Sequence, residues 1–335
     1  MITASDDREK AILHWLTNDL QLNITQFKPA SSDASFRRYF RVHQQQDTYI
    51  VMDAPPDKED TAPFIKVAQL FSQAQVNVPQ IIQQNTKQGF LLLEDFGSKC
   101  LLDRLNNNNI DNLYQDALAS LLILQTNVDI KTCDLPQYDA DLLQIELNLF
   151  SDWFLNQQCN LKLSAAEQAM LSKSNELLIA SALQQTQVCV HRDYHSRNLM
   201  HVTTENPGII DFQDAVIGPV TYDAVSLLRD CYISWPDTKI EQYLKSYYLQ
   251  LKQAQLINID FSQFQRDFDL MGIQRHLKAI GIFSRLNIRD GKSVYLGDIP
   301  RTLNYVISIS QHYPELLDFH TFLVETVLPA SKRVL

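Results

Sequence analysis

The chain has 335 residues, 45% of them hydrophobic and 20% charged, with a formal net charge of -10. That length buries a substantial core and exceeds a usual single domain, so two modest domains or one large two-lobed domain is expected, and the composition excludes a disordered or fibrous chain. The negative charge speaks against a nucleic-acid or anionic-membrane partner, and no stretch reaches the roughly 18 consecutive apolar residues of a membrane span.

The first ten residues, MITASDDREK, lack the basic and then apolar run of a secretory signal, so a cytoplasmic location is expected. Cys100, Cys133, Cys159, Cys189 and Cys231 are widely spaced and form no C-x-x-C pair. They read as buried or idle thiols rather than metal ligands.

In chain order, Ala11 to Leu20 carries apolar residues at helical spacing and predicts an opening helix. FRRYFRV (Phe36 to Val42) and TYIVMDA (Thr48 to Ala54) read as two strands joined by a short polar turn. A helix over Thr61 to Gln75 follows, then strands in VPQIIQ and GFLLLEDFG (Gly89 to Gly97), so the first third is a small sheet with one helix. The run Asn106 to Asn109 reads as a solvated loop. Helical patterns then cover Leu113 to Leu124, Ala140 to Leu155, Ala165 to Leu183 and several segments from Ala224 onward.

The middle interrupts this helical half. VCVHRDYHSRNLM (Val188 to Met200) is an apolar strand running into a polar loop, and ENPG followed by GIIDF closes a short hairpin. His191, Asp193 and Asn198 form H-x-D-x-x-x-x-N, with Asp211 just past the apolar GII. Phosphoryl transfer from a nucleotide needs such a set. One carboxylate orients the attacking hydroxyl and takes its proton, while an amide oxygen and a second carboxylate hold Mg²⁺ against the phosphates. The plainer alternative is a polar surface turn with Asp211 as a helix cap.

The order H-R-D, Asn, then Asp after a strand resembles the protein-kinase-like superfamily. IIDFQDA, without the glycine of D-F-G, is similar to the aminoglycoside phosphotransferase and small-molecule kinase branch, and no A-P-E segment is present. The resemblance implies an α+β, two-lobed fold: residues 1–94 as an antiparallel sheet plus helix covering the nucleotide, and residues 95–335 as a mainly helical lobe with the catalytic loop, metal site and substrate pocket. It implies ATP and Mg²⁺ as cofactors, Asp193 as base, and Asn198 and Asp211 as metal ligands. Glu94 and Phe96, in the connecting strand, would present backbone groups to adenine.

Two departures qualify it. The phosphate-covering loop has Ser31, Ser32 and Ser35 where protein kinases have glycines, and Met52 stands in place of the phosphate-pairing lysine. One of Arg37, Arg38 and Arg41 is expected to take over that contact, with Arg37 and Arg41 on one strand face and Arg38 on the other, the alternative being an edge strand with solvated charge.

SDASFRRYFRV, IVMDAPPDKED, IDFQDAVIGPVTYDAVSLLRD and QRHLKAIGIFSRLNIRDGKSVYLGDIPR together resemble bacterial kinases that phosphorylate N-acetylmuramate and N-acetylglucosamine at the anomeric hydroxyl in cell-wall recycling. That implies a sugar 1-phosphate product, an amino-sugar partner and a monomer. His195 and Arg197 would face substrate or solvent. Arg275 and Lys278, within a late basic cluster that includes His276, Arg285 and Arg289, would meet the lactyl carboxylate of N-acetylmuramate or pair with local acids. Asp223 would anchor the helix after the hairpin, and Tyr232 and Trp235 would stack on sugar or join the core. Other small hydroxyl acceptors (choline, homoserine, an aminoglycoside) and a non-catalytic nucleotide-binding regulator remain as competing readings.

Overall fold

The computed structural model describes residues 5–32 and 36–335. They sort into two compact units, Met1–Ser120 with Arg197–Asp214, and Leu121–Ser196 with Ala215–Leu335.

In the first unit, α1 (Asp7–His14) starts at Asp6, whose carboxylate accepts the Glu9 N–H, and continues as a π-helical turn over Trp15–Asp19. Five antiparallel strands follow: β1 (Ile24–Ser32), β2 (Arg38–Gln44), β3 (Asp47–Asp53), β4 (Ile81–Asn85) and β5 (Phe90–Glu94), in the order β1-β2-β3-β5-β4. The first of these was not anticipated from the sequence. Helix α2 (Ala62–Gln73) lies between β3 and β4 in the chain.

Strand alternation gives the sheet two different faces. Phe40, Val42, Val51, Phe90 and Leu92 pack with Ile12, Trp15 and Leu16 in one buried cluster. Tyr39, Arg41, Ile50 and Leu93 take the opposite parity, and all four line a pocket. On the α1 side, Asp53 is fully buried and accepts bonds from both Arg8 and Arg38, which ties the opening helix to the sheet.

Helix α3 (Ile110–Asn127) carries the chain from the first unit into the second. There α4 (Ala140–Leu149) runs on as a nine-residue π-helix, Phe150–Gln158, and α5 (Ala165–Gln184) begins with a reciprocal Ser164–Glu167 capping box. Strands Gln187–Val190 and Val216–Pro219 pair antiparallel at either end of the segment containing the polar loop. Helices α6 (Tyr222–Leu228), α7 (Asp237–Gln253), α8 (Phe261–Asp290) and α9 (Ile299–Ser310) complete the main frame.

The 30-residue α8 is the spine of this unit, burying Leu270, Ile273, Leu277, Ile280 and Phe283 in a cluster with Leu147, Phe150 and Phe154. Gly281 permits the close crossing: a Cβ there would fall 2.4 Å from the Leu149 carbonyl carbon. Among the described residues no helix is long and apolar enough to cross a membrane.

Candidate active site

The first unit holds a pocket of about 440 Å³ lined by Tyr39, Arg41, Glu94, Phe96, Asn198 and Asp211, among others. The hairpin that delivers Asp211 is short, Leu199–Met200 against Gly208–Ile209, and the Ile210 N–H donates to the Asn198 carbonyl. The ring of Phe212, next in sequence, is 4.8 Å from that of Phe64 and 5.8 Å from that of Phe71, so α2 pins the residue that follows the carboxylate. Asp211 has a left-handed backbone, φ 64°. Its Oδ2 accepts from Asn198 Nδ2 at 3.1 Å and its Oδ1 from Gln213 Nε2 at 2.9 Å.

These two side chains offer oxygen donors, the chemistry Mg²⁺ takes. Among the described residues no group of three or more His, Cys, Asp or Glu could hold a metal on its own. Mg²⁺ bound with a nucleotide usually engages one or two carboxylates plus phosphates rather than an all-protein cage.

Glu94 and Phe96, expected beside adenine, both line this pocket. The Phe96 ring packs closely against Gly208 of the hairpin, where a Cβ would be 2.5 Å from the ring. Arg41 grips the segment after β5: Nε donates to Asp95 at 2.6 Å, Nη2 to the same carboxylate at 2.9 Å and to the Gly97 carbonyl at 2.7 Å. Burial pushes the Asp95 carboxyl up, but Arg41, the Gly97 N–H and Thr48 outweigh it and leave it below the ordinary value.

Of the three candidate phosphate arginines, Arg41 lines the pocket and the other two do not. Arg38 has the parity of Phe40 and Val42, and its guanidinium is bound by Asp53 and Asp6 on the α1 side, so it does not line the pocket. Arg37 lies 4.0 Å from Glu59 and is also outside the lining. Ser35 lies outside the described residues, as does the side chain of Ser32. Arg197, expected near substrate, instead lines the pocket with Asn198 and Asp211, so Arg41 and Arg197 are its two lining cations. Met52 is fully buried in β3 opposite Tyr39 and Leu91.

In the second unit a cavity of about 90 Å³ is lined by Asp193, His195, Tyr222, Tyr232, Arg275 and Lys278. Four expected site residues thus meet here, and Tyr232 sets its ring edge-on to His195 at 5.1 Å. The loop is anchored by Asp223, which accepts the N–H groups of His191 at 2.7 Å and Arg192 at 3.1 Å. Burial pushes the Asp223 carboxyl up to about 7 despite those donors. Asp230 performs a parallel task, accepting from Ser196 N–H at 2.9 Å and Tyr232 N–H at 2.8 Å.

Beneath Asp193 lies a buried polar network that sequence reading did not identify. Glu146 of α4 pairs with Arg192 and, at 3.0 Å, with Lys278; it also accepts from the Tyr138 hydroxyl and, at 3.3 Å, from Gln274. Lys278 in turn donates to the Tyr222 hydroxyl at 3.0 Å. Burial would raise the Glu146 carboxyl, yet Lys278 and Arg192 keep it below its ordinary value. Asp193 shows the same balance: burial raises it, while Lys278, His195, Arg275 and Arg192 together hold it lowered. The carboxylate is therefore kept anionic, able to accept a hydroxyl proton in a hydrogen bond.

The late basic cluster proves heterogeneous. His276 is fully buried, with Nε2 2.8 Å from the Arg229 carbonyl and its ring stacked on Tyr305. Burial, reinforced by Arg275, drives its pKa down to about 3, so it is neutral. Arg289 pairs on the surface with Asp290. Trp235 does not line the cavity.

Residues 26–256 match the model of the phosphotransferase enzyme family that includes the aminoglycoside phosphotransferases, and the chain belongs to that family. Two solved structures show the same fold. Aminoglycoside phosphotransferase APH(2″)-Ib bound to ADP superposes with a TM-score of 0.60 at 15% identity, over 89% of this chain and 98% of the other. The GDP complex of aminoglycoside 2′-phosphotransferase-IIIa gives 0.63 at 14%, over 92% and 100%. The fold is thus α+β and protein-kinase-like.

More similar in sequence are two curated proteins named N-acetylmuramate/N-acetylglucosamine kinase. That of Pseudomonas putida is 45% identical over 297 residues, 88% of this chain and 87% of its own length. That of Neisseria meningitidis serogroup B is 40% identical over 304 residues, 89% and 90% respectively.

Proposed function

We propose that this chain is an ATP-dependent kinase that transfers the γ-phosphoryl group to the anomeric hydroxyl of N-acetylmuramate or N-acetylglucosamine, giving a sugar 1-phosphate within cell-wall recycling. The observation that carries the reading is the 45% identity, over 88% of the chain, to a relative named for those two sugars. The chemistry of the two pockets agrees with it.

In this reading residues 1–94 cover the nucleotide, residues 95–335 carry the catalytic loop, and adenine takes backbone contacts at Glu94 and Phe96. Asn198 and Asp211 would hold Mg²⁺, which supplies charge neutralisation on the phosphates. Arg41 and Arg197 line this pocket where Met52 replaces lysine, and Arg41, bound to Asp95, acts there by holding the Asp95–Gly97 segment beside the nucleotide. Asp193 accepts a hydrogen bond from the C1 hydroxyl, aims its oxygen at the γ-phosphorus and takes the proton as the new P–O bond forms and the bond from that phosphorus to the β,γ-bridging oxygen breaks, releasing ADP. A carboxylate held below its ordinary pKa is a weak base. It suffices because a hemiacetal hydroxyl is more acidic than a simple alcohol, so positioning rather than basicity carries the larger share.

The cavity containing Asp193 also contains Arg275 and Lys278, which suits a neutral or acidic sugar and opposes the several ammonium groups of an aminoglycoside. The test is ADP release by purified protein with MgATP and a panel of N-acetylmuramate, N-acetylglucosamine, choline, homoserine and kanamycin. Turnover confined to the amino sugars is expected; turnover with choline, homoserine or kanamycin alone would overturn the assignment.

A further inference from the structure

Arg275 and Lys278 line one cavity but differ in what satisfies them. Lys278 spends its charge on Glu146 and a further donor on Tyr222, both at 3.0 Å. Arg275 is only 5% exposed, yet its one hydrogen bond is from Nη1 to the Cys231 sulfur at 3.5 Å, and its Nε has no partner among the described residues. Burial pushes the Cys231 thiol up, so it stays protonated and brings no negative charge. Asp193 and Asp230 act on the guanidinium only through space.

A buried guanidinium without a carboxylate against it is costly, and a planar fork of donors matches a carboxylate in two parallel bonds. Such an arrangement is understandable if the missing partner arrives with the ligand. We infer that Arg275 reads a carboxylate on the acceptor sugar, and so selects N-acetylmuramate, which carries a lactyl carboxylate, over the neutral N-acetylglucosamine. This inference rests on the sugar-kinase reading above. The lactyl ether sits on C3, two ring atoms from C1, so Arg275 and Asp193 address different groups of one ring. Lys278, already neutralised, is assigned to the support of Asp193 and not to the ligand.

The experiment compares kcat/KM for three acceptors, N-acetylmuramate, its methyl ester and N-acetylglucosamine, in the wild-type protein and in Arg275→Met. The wild-type protein is expected to prefer the acid over the ester by at least about thirtyfold, the usual effect of removing one member of a buried charged pair. In Arg275→Met that preference should collapse to within about threefold, with the loss concentrated in KM. Arg275→Lys should restore part of it, since a lysine keeps the charge without the fork.

Wild-type protein that phosphorylates acid and ester equally well overturns the inference while leaving the sugar-kinase reading intact, and this arm decides even if the variant does not fold. Equal losses on all three acceptors in a folded Arg275→Met protein also overturn it, and would make Arg275 a positioning residue for Asp193. Wild-type protein that phosphorylates none of the three, while still binding ATP, removes the reading and the inference together.

Discussion

Replacing Glu146 by Gln should be among the most damaging single changes in the chain, although it changes few atoms and touches no surface. The Glu146 side chain is 4% exposed and neutralises Lys278, 10% exposed, and Arg192, 19% exposed. Removing one member of a buried ion pair costs about 3–5 kcal/mol, because the opposite charge remains without compensation. Here two cations lose the same partner, so the upper half of that range, about 4 kcal/mol, is expected. At 2–4 °C per kcal/mol for a chain of this size class, the melting temperature should fall by roughly 8–16 °C. Thermal unfolding by circular dichroism at pH 7 measures it. The double variant Glu146→Gln/Lys278→Met removes one orphaned cation and should recover at least about 1 kcal/mol relative to the sum of the single changes. Because the two cations hold the Glu146 carboxyl below its ordinary 4.5, its contribution is complete above about that pH and is lost as pH falls through the folded value. A single variant within about 1 kcal/mol of wild type, or strictly additive losses, would refute the network as a coupled unit.

Other consequences can be measured independently. Asp53→Asn should loosen α1, since the buried carboxylate binds both Arg8 and Arg38; hydrogen exchange of residues 7–14 is expected to quicken about tenfold or more, and unchanged protection would contradict this. His276 is held at about 3 when folded but near 6.5 when unfolded, so its contribution is complete above about pH 6.5 and declines as pH falls toward 3. His276→Phe should therefore flatten the slope of stability against pH between 6.5 and 4 by up to about 1.4 kcal/mol per pH unit, and an unaltered slope would show that His276 is protonated in the fold. Arg41→Met frees the Asp95–Gly97 segment and should raise the KM for ATP by about tenfold; a KM within twofold of wild type would place the arginine outside nucleotide binding.

Much of the fold was legible because the relevant signals are local. The helix expected over Ala165 to Leu183 occurs at Ala165–Gln184, opened by a Ser164–Glu167 box that is visible in the sequence. The strand over Ile24–Ser32 escaped because ITQFKPASS contains Pro29 and little apolar alternation; it is an edge strand with a bulge after that proline, and one side has no strand partner among the described residues, so the usual pattern is not required. The helix expected across Ala140 to Leu155 was found, but its conversion to a π-helix at Phe150 was not, because apolar spacing alone does not mark where i→i+5 bonding begins.

The candidate site divides in the same way. Asp193, Asn198 and Asp211 are legible from one loop and one hairpin, since their types and spacing carry the chemistry. Strand parity separated Arg38 from Arg41, but only the pairing of Arg38 with Asp53 tells which face the pocket occupies. Glu146 reaches residues 46 and 132 positions away, and a partnership at such separations leaves no pattern along the chain. His276 read as one more cation because a string of basic letters does not reveal that its ring is buried against Tyr305.

The most direct test of the account is the ³¹P NMR spectrum of the product formed from MgATP and N-acetylmuramate, with Asp193→Asn as the companion sample. A phosphomonoester resonance split by a single coupling to the anomeric proton is expected with the wild-type protein, and its loss with Asp193→Asn while ATP binding persists. A phosphate coupled to the two C6 protons, or a signal undiminished in the variant, would contradict the anomeric acceptor or the role of Asp193 respectively.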